Sequence, residues 1–244
     1  MPSDAGGAEN PAEYASLLEY AVKEFKFVNP DFFIISAGLD NAAPNQPPLY
    51  MNEYNYMQSM NQAVPGIFAE VDGLASHSYP NPGFSQPPTD TNAMSISSFT
   101  YEQQQAQQLG GKKLPIFITE TGWSSDTLSN ISIAQYYKQA LETVWSDPSI
   151  VAITPFLLSA SQGSFTQFSF LKSDGTPTEM YQAIEGLQKV KGQPLIPSTE
   201  VLSATTSHQH ITSVKNFVQP VTVNKHYPSL ADEARIVFKF LFIH

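Results

Sequence analysis

Apolar positions along this chain recur with two alternating periods. From Pro11 to Pro30, Tyr14, Leu17, Leu18, Ala21, Val22 and Phe25 fall at helical spacing, and Pro30 follows the stop. The next run, DFFIISAGLD at 31–40, is short and β-rich and opens into a loop of Asn and Pro. The spacing predicts a second helix over 54–68 that Pro65 bends or ends. VDGLASHSYP at 71–80 then reads as a strand. A polar helix over 98–109, closed by Gly110 and Gly111, leads into the apolar strand LPIFITE at 114–120. The most amphipathic stretch is 132–148, with Ile133, Tyr136, Tyr137, Ala140, Leu141 and Val144 on one face. IVAITPFLLSA at 150–160 is a further apolar strand, and 178–190 predicts the last helix.

Apolar strands that alternate with helices imply parallel βαβ units with helices covering the sheet. The strand starts lie roughly 40 residues apart, somewhat more than the ~30 per unit of an eightfold β/α barrel. Long loops rich in Pro, Asn and Gly follow the strands, on the side where a barrel keeps its active site. Four strands are legible where a closed barrel needs eight. The expected fold class is therefore α/β, of the (β/α)8 TIM-barrel type with about the last four units present, over residues 1–190. After Val190 the character changes. KGQPLIPSTEVLSATTSHQH reads as a linker, and the two β-rich runs after it read as the start of a β segment over 191–244.

Composition narrows the function classes. Apolar residues make up 41% of the 244 and charged residues 14%, which supplies a sizeable core. The formal net charge of −10, with no basic cluster, argues against nucleic acid and against an anionic membrane surface as partners. A neutral substrate suits this balance better than a phosphorylated one. With no cysteine, disulfides and thiolate metal sites are excluded. No apolar run approaches the ~20 residues that span a bilayer. MPSDAGGAEN has neither a basic nor an apolar region of the kind a signal peptide carries.

The candidate chemistry centres on Glu120, where LPIFITE ends on a carboxylate. A charge at the end of a buried strand costs several kcal/mol unless it is paired or used. Strict alternation places Ile116, Ile118 and Glu120 on one face, with the carboxylate at the mouth above an apolar plug. The same parity puts Gly73, Ala75, His77 and Tyr79 on one face of the preceding strand. A Tyr hydroxyl beside a carboxylate can orient it and tune its basicity, as a nucleophile requires. Trp123 offers a flat surface for a sugar ring, and Asn41 lies on the loop after the 31–40 strand with Asp40 and Asn45. His208 and His210 stand two apart in a Ser/Thr-rich stretch with no third ligand near, so no metal site is assigned. A G-x-S-x-G elbow, a P-loop and a G-x-G-x-x-G turn are all missing from the sequence.

FITETGW resembles the seventh-strand signature of the clan A glycoside hydrolases, retaining glycosidases built on a (β/α)8 barrel. DGLASHSYP resembles the sixth-strand segment of that clan, FFIISAGL the fifth, and 168–184 the passage from the eighth strand into the last helix. The resemblance covers roughly residues 8–188 and implies that Glu120 is the catalytic nucleophile. His77 and Tyr79 would line the site, with Trp123 and Asn41 as further substrate contacts. It implies a carbohydrate substrate, β-glycosidic bonds of an oligo- or polysaccharide, no cofactor or metal, and work outside the cytoplasm. Retaining chemistry needs a second carboxyl about 5 Å away. The clan supplies it from an Asn-Glu pair ending the fourth strand, ahead of the helix that here begins near Pro11. This chain has Glu9-Asn10 in reverse order there, with Asn10 and Pro11 forming an ordinary helix start. The acid/base residue is thus expected upstream of Met1, in an enzyme of which this chain is an N-terminally truncated piece. The clan also places a Trp near the end of its eighth strand, where this chain has Phe156 and Phe165.

Two other readings follow from the same residues. One is a non-catalytic carbohydrate-binding or remnant protein without an acid/base residue. The other is an open-sheet α/β binding protein that only resembles half a barrel. Four strands of an eight-stranded barrel also leave two sheet edges bare, so self-association through those edges is expected.

Overall fold

In a computed structural model the chain is described over residues 9–160, 163 and 165–188. The linker and β segment expected at 191–244, and His208 and His210, lie outside the described residues. The first helix, α1 (Pro11–Val28), is capped by Asn10, whose side-chain oxygen accepts the Glu13 N–H at 3.1 Å. Pro11 takes the first helical position, where its missing N–H costs nothing. Ala15, Leu18 and Val22 of α1 are buried, whereas Leu17, Tyr20, Phe27 and Val28 stand on a separate, exposed arc. The helix expected over 54–68 is two helices, α2 (Glu53–Ala63) and α3 (Ile67–Glu70). Pro65 ends the first, and Gly66 turns the chain through the left-handed region at φ 85°.

Three strands form one parallel sheet in chain order: β1 (Leu74–His77), β2 (Ile116–Thr121) and β3 (Ile150–Pro155). Helix α4 (Ser98–Gly110) joins β1 to β2, and α5 (Asn130–Glu142) joins β2 to β3. The last helix, α6 (Glu179–Glu185), is shorter than the 178–190 expected. The expected strand at 31–40 is present only as a bridged margin of the sheet. Ile35 bridges Gly73 in parallel, the Ile34 carbonyl accepts the Asp72 N–H at 2.8 Å, and the Ser36 N–H reaches the Gly73 carbonyl at 3.3 Å. A full ladder fails because the Ile34 N–H is given to the Asp72 carboxylate at 2.8 Å. The fold class is thus α/β with a parallel sheet.

The main core lies between the sheet and the helices. Ile116 and Ile118 are fully buried there with Phe99 and Ala106 of α4 and Ile133 of α5. This corrects the alternation assumed above. Phe117 points to the opposite face, where its ring meets Phe33 at 5.6 Å between centroids. Ser76 pairs with Ile118 and His77 with Glu120, so Thr119 is an extra residue on β2. Such a bulge reverses parity along the strand that carries it. Glu120 therefore turns to the His77 face and away from Ile116 and Ile118. Among the described residues, no helix is long and apolar enough to cross a membrane.

Candidate active site

His77 and Glu120 are register partners at the C-terminal ends of two adjacent parallel strands. Tyr79, two residues beyond β1, donates its hydroxyl to Glu120 Oε2 at 3.1 Å. His77 Nδ1 lies 3.6 Å from the same oxygen, at ion-pair rather than hydrogen-bond distance. The imidazole can sit there because residue 38 is glycine: a Cβ on Gly38 would overlap the ring. Burial lowers the His77 pKa from its ordinary value, against the opposing pull of Glu120 and Asp40. At neutral pH the imidazole is uncharged. Burial raises the Tyr79 pKa, and the Glu120 charge raises it further, so the phenol keeps its proton and remains a donor. The Glu120 side chain is 36% exposed, open enough to meet a substrate.

Aromatic rings surround this donor–acceptor pair. Tyr79 meets Phe84, Phe156 and Phe168 edge to face, at 5.2, 6.2 and 6.2 Å between centroids. Phe165, 54% exposed, packs on Phe156 at 5.3 Å and presents the open flank of the cluster. Phe84 takes a left-handed backbone conformation, φ 54°, which a bulky side chain seldom adopts. The sequence reading missed Phe84 and Phe168. Phe84 sits in the PNPGF turn, where a lone aromatic among turn-formers was the available signal.

Asn41 is 2% exposed and meets the site from behind. Its amide donates to the Tyr79 carbonyl at 2.9 Å and to the Ser95 carbonyl at 3.4 Å, and its oxygen accepts from Asn81 at 3.0 Å. It holds the Tyr79 loop and is not placed to touch a substrate. Trp123 departs further from expectation. It is 1% exposed, its ring lies against Tyr136, Tyr137 and Trp145, and its Nε1 donates to the Gln86 carbonyl at 2.8 Å. No ring face is free for a sugar, so Trp123 is a loop anchor. Trp123→Ala is expected to cost about 3–5 kcal/mol of folding stability through the cavity it leaves. Denaturant unfolding monitored by far-UV circular dichroism measures that loss; a change below about 1 kcal/mol would contradict the packing role.

Glu9 gives its N–H to the Pro48 carbonyl at 3.3 Å, and its Oε2 is buried without a partner among the described residues. The groups that meet Glu120 among the described residues are Tyr79 and His77, and no second carboxyl is among them.

No family model matches the sequence, and no curated protein does. Among solved structures, the chain is similar to a family 39 glycoside hydrolase from the gut symbiont Bacteroides cellulosilyticus WH2, at 21% identity and a TM-score of 0.49. That match covers 72% of this chain and 37% of the other. It is also similar to a family 51 α-L-arabinofuranosidase from Bifidobacterium longum, at 11% identity and a TM-score of 0.44, over 72% of this chain and 39% of that one. The chain thus spans less than two fifths of the length of each.

Proposed function

We propose that this chain carries the nucleophile side of a retaining glycoside hydrolase, as an N-terminally truncated C-terminal half of a TIM-barrel catalytic domain. Its substrate would be the β-glycosidic bonds of an oligo- or polysaccharide. The observation that carries the reading is the Glu120 carboxylate, part-exposed and accepting a hydrogen bond from Tyr79 at the C-terminal end of a parallel strand. Glu120 attacks the anomeric carbon while the glycosidic bond breaks, which leaves a covalent glycosyl-enzyme for water to release. Tyr79 donates to the attacking carboxylate and fixes its direction. Uncharged His77 packs beside the same oxygen without neutralising it. Phe156 and Phe165 replace Trp123 as the apolar wall for a sugar ring. The acid/base carboxyl belongs to the part of the enzyme upstream of Met1.

The test is a set of activated aryl 2-fluoroglycosides, whose leaving groups need little protonation. The set includes β-glucosyl, β-galactosyl and α-L-arabinofuranosyl forms, so that linkage is read from the result. Peptide mapping is expected to place the sugar on the peptide that contains Glu120; labelling elsewhere, or none, overturns the assignment. Tyr79→Phe is expected to slow labelling by roughly 10- to 100-fold, since a hydrogen bond to a charged group contributes about 1.5–3 kcal/mol. Stopped reactions analysed by intact mass give that rate directly, and an unchanged rate would remove Tyr79 from the chemistry.

The second reading, a carbohydrate-binding or remnant protein, is favoured by the lack of a second carboxyl against Glu120 among the described residues. It predicts oligosaccharide binding by calorimetry with no covalent label.

A further inference from the structure

A second carboxyl pair lies on the helix side of the sheet, apart from Glu120. Glu53, in the first turn of α2, is 1% exposed, and neither of its carboxyl oxygens has a hydrogen-bond partner among the described residues. Glu102 of α4 is 3% exposed, and its Oε1 accepts from the Ser76 and Ser98 hydroxyls, both at 2.9 Å. Both side chains line one small cavity between α2, α4 and β1, whose other walls include Met57, Met60, Phe68 and Leu74. Among the described residues, no Lys, Arg or His lines it. Two ionised carboxylates cannot share such a space, because each would lose its hydration and repel the other.

A metal ion is a poor filling, since a hard cation takes six or more oxygens and these walls are chiefly apolar. A proton needs no further ligand. We propose that Glu53 keeps its proton in the cavity it shares with Glu102, and that this buried proton makes the packing of α2 and α4 on β1 sensitive to alkaline pH. Burial raises Glu53 to about 9, with the Glu102 charge adding and the Tyr54 hydroxyl beside it opposing. Burial raises Glu102 to about 7 against its two Ser donors. The remaining titratable groups around the pair are Asp40, on the loop after the sheet margin, and Tyr14 of α1, whose hydroxyl accepts the Ala37 N–H. Asp40 adds repulsion, and Tyr14 is itself raised by burial and uncharged.

In the unfolded chain both carboxyls ionise near 4.5, whereas the folded pair keeps its protons toward 7 and 9. The folded state therefore binds more protons across that window. The contribution to stability is complete below about pH 4.5 and is lost as the pH rises toward 9. The loss reaches the candidate site through short links. Ser78 shares a hydrogen bond with Ser76 at 2.7 Å, its Oγ lies 3.0 Å from the Ser98 hydroxyl, and its carbonyl accepts the Thr121 hydroxyl at 2.7 Å. Ser78 directly precedes Tyr79, and Thr121 directly follows Glu120.

Infrared spectroscopy of the full chain, with glutamate carboxyls isotopically labelled, tests this. A protonated glutamic acid band is expected at pH 7 that fades toward pH 10 and is missing in Glu53→Gln. Melting temperature is expected to fall by on the order of 10 °C from pH 5 to 9 in the wild type, and by less than half of that in Glu53→Gln. Should that variant not fold, Glu53→Met and the wild-type infrared titration decide. A wild type with no protonated glutamic acid at pH 7 overturns the proposal. So does a wild type that potassium chloride stabilises over choline chloride at pH 8 while Glu53→Gln is not, which would put a bound cation in place of the proton.

Discussion

Glu120→Gln is expected to slow glycosyl transfer from an activated aryl glycoside by about 10⁴-fold or more, the scale on which removing a covalent nucleophile acts. The amide keeps the shape and one acceptor for Tyr79 but has no electron pair basic enough to attack the anomeric carbon. Glu120→Ala separates nucleophile from binding residue more sharply, because it vacates the space beside Tyr79 and His77. Azide added to that variant is expected to take the place of the carboxylate and give a glycosyl azide of inverted configuration. A β-glycoside then yields the α-azide, which proton NMR identifies. A β-azide would mean that a covalent intermediate still forms and that Glu120 serves another step. Wild-type and variant circular dichroism spectra should coincide, since Glu120 is part-exposed and its loss leaves no buried group unpaired except the Tyr79 hydroxyl.

The helices were legible because their periods are written in the residues themselves. Ile133, Tyr137 and Ala140 repeat at helical spacing and are the buried face of α5. Asn10 and Pro11 mark the start of α1 as a local matter, one cap and one fixed φ. The strands at 74–77 and 150–155 fall within the apolar runs read from sequence, and that at 116–121 passes the end of its run by one residue, in the order a βαβ reading requires. What the pattern did not carry was the bulge at Thr119. FITET alternates no differently from a regular strand, and its irregularity exists only in pairing with β1. One inserted residue reverses which neighbours share a face with Glu120, so the apolar plug was assigned to the wrong side.

Residues of the site were legible in proportion to how local their roles are. His77 and Tyr79 lie on one parity, two apart, and both reach Glu120. The burial of Trp123 depends on Tyr136, Tyr137 and Trp145, which α5 and its following turn bring from across a long loop. An aromatic after a strand end gives no sign of that. Glu53 looks like an ordinary acidic first-turn residue after the Asn52 cap, and only the packing of α4 over α2 makes it a buried carboxyl. The Ser76–Ser78 repeat was the one available signal, since hydroxyls on the helix side of an apolar strand require partners there.

The second large effect expected is association of the isolated chain. Helix α1 presents Leu17, Tyr20, Phe27 and Val28 to solvent at 57, 62, 88 and 75% exposure, on an arc separate from the one that packs on the core. Beside it, Phe32 and Phe33 are 42 and 44% exposed at the bridged margin of the sheet. Each such side chain gains about 1.5–3 kcal/mol on full burial. A margin strand with unpaired backbone groups adds hydrogen bonds that a second chain can complete. We therefore expect sedimentation velocity to show species heavier than the 26.8 kDa monomer at tens of micromolar. Tyr20→Lys with Phe27→Lys should return the chain to a monomer. Because both side chains are exposed, that pair should leave stability within about 1 kcal/mol of wild type. A wild type that stays monomeric across the concentration range and unfolds cooperatively would mean that its apolar arc and sheet margin need no partner. The half-barrel reading would then fail, while the Glu120 assignment, tested by chemistry alone, would stand or fall separately.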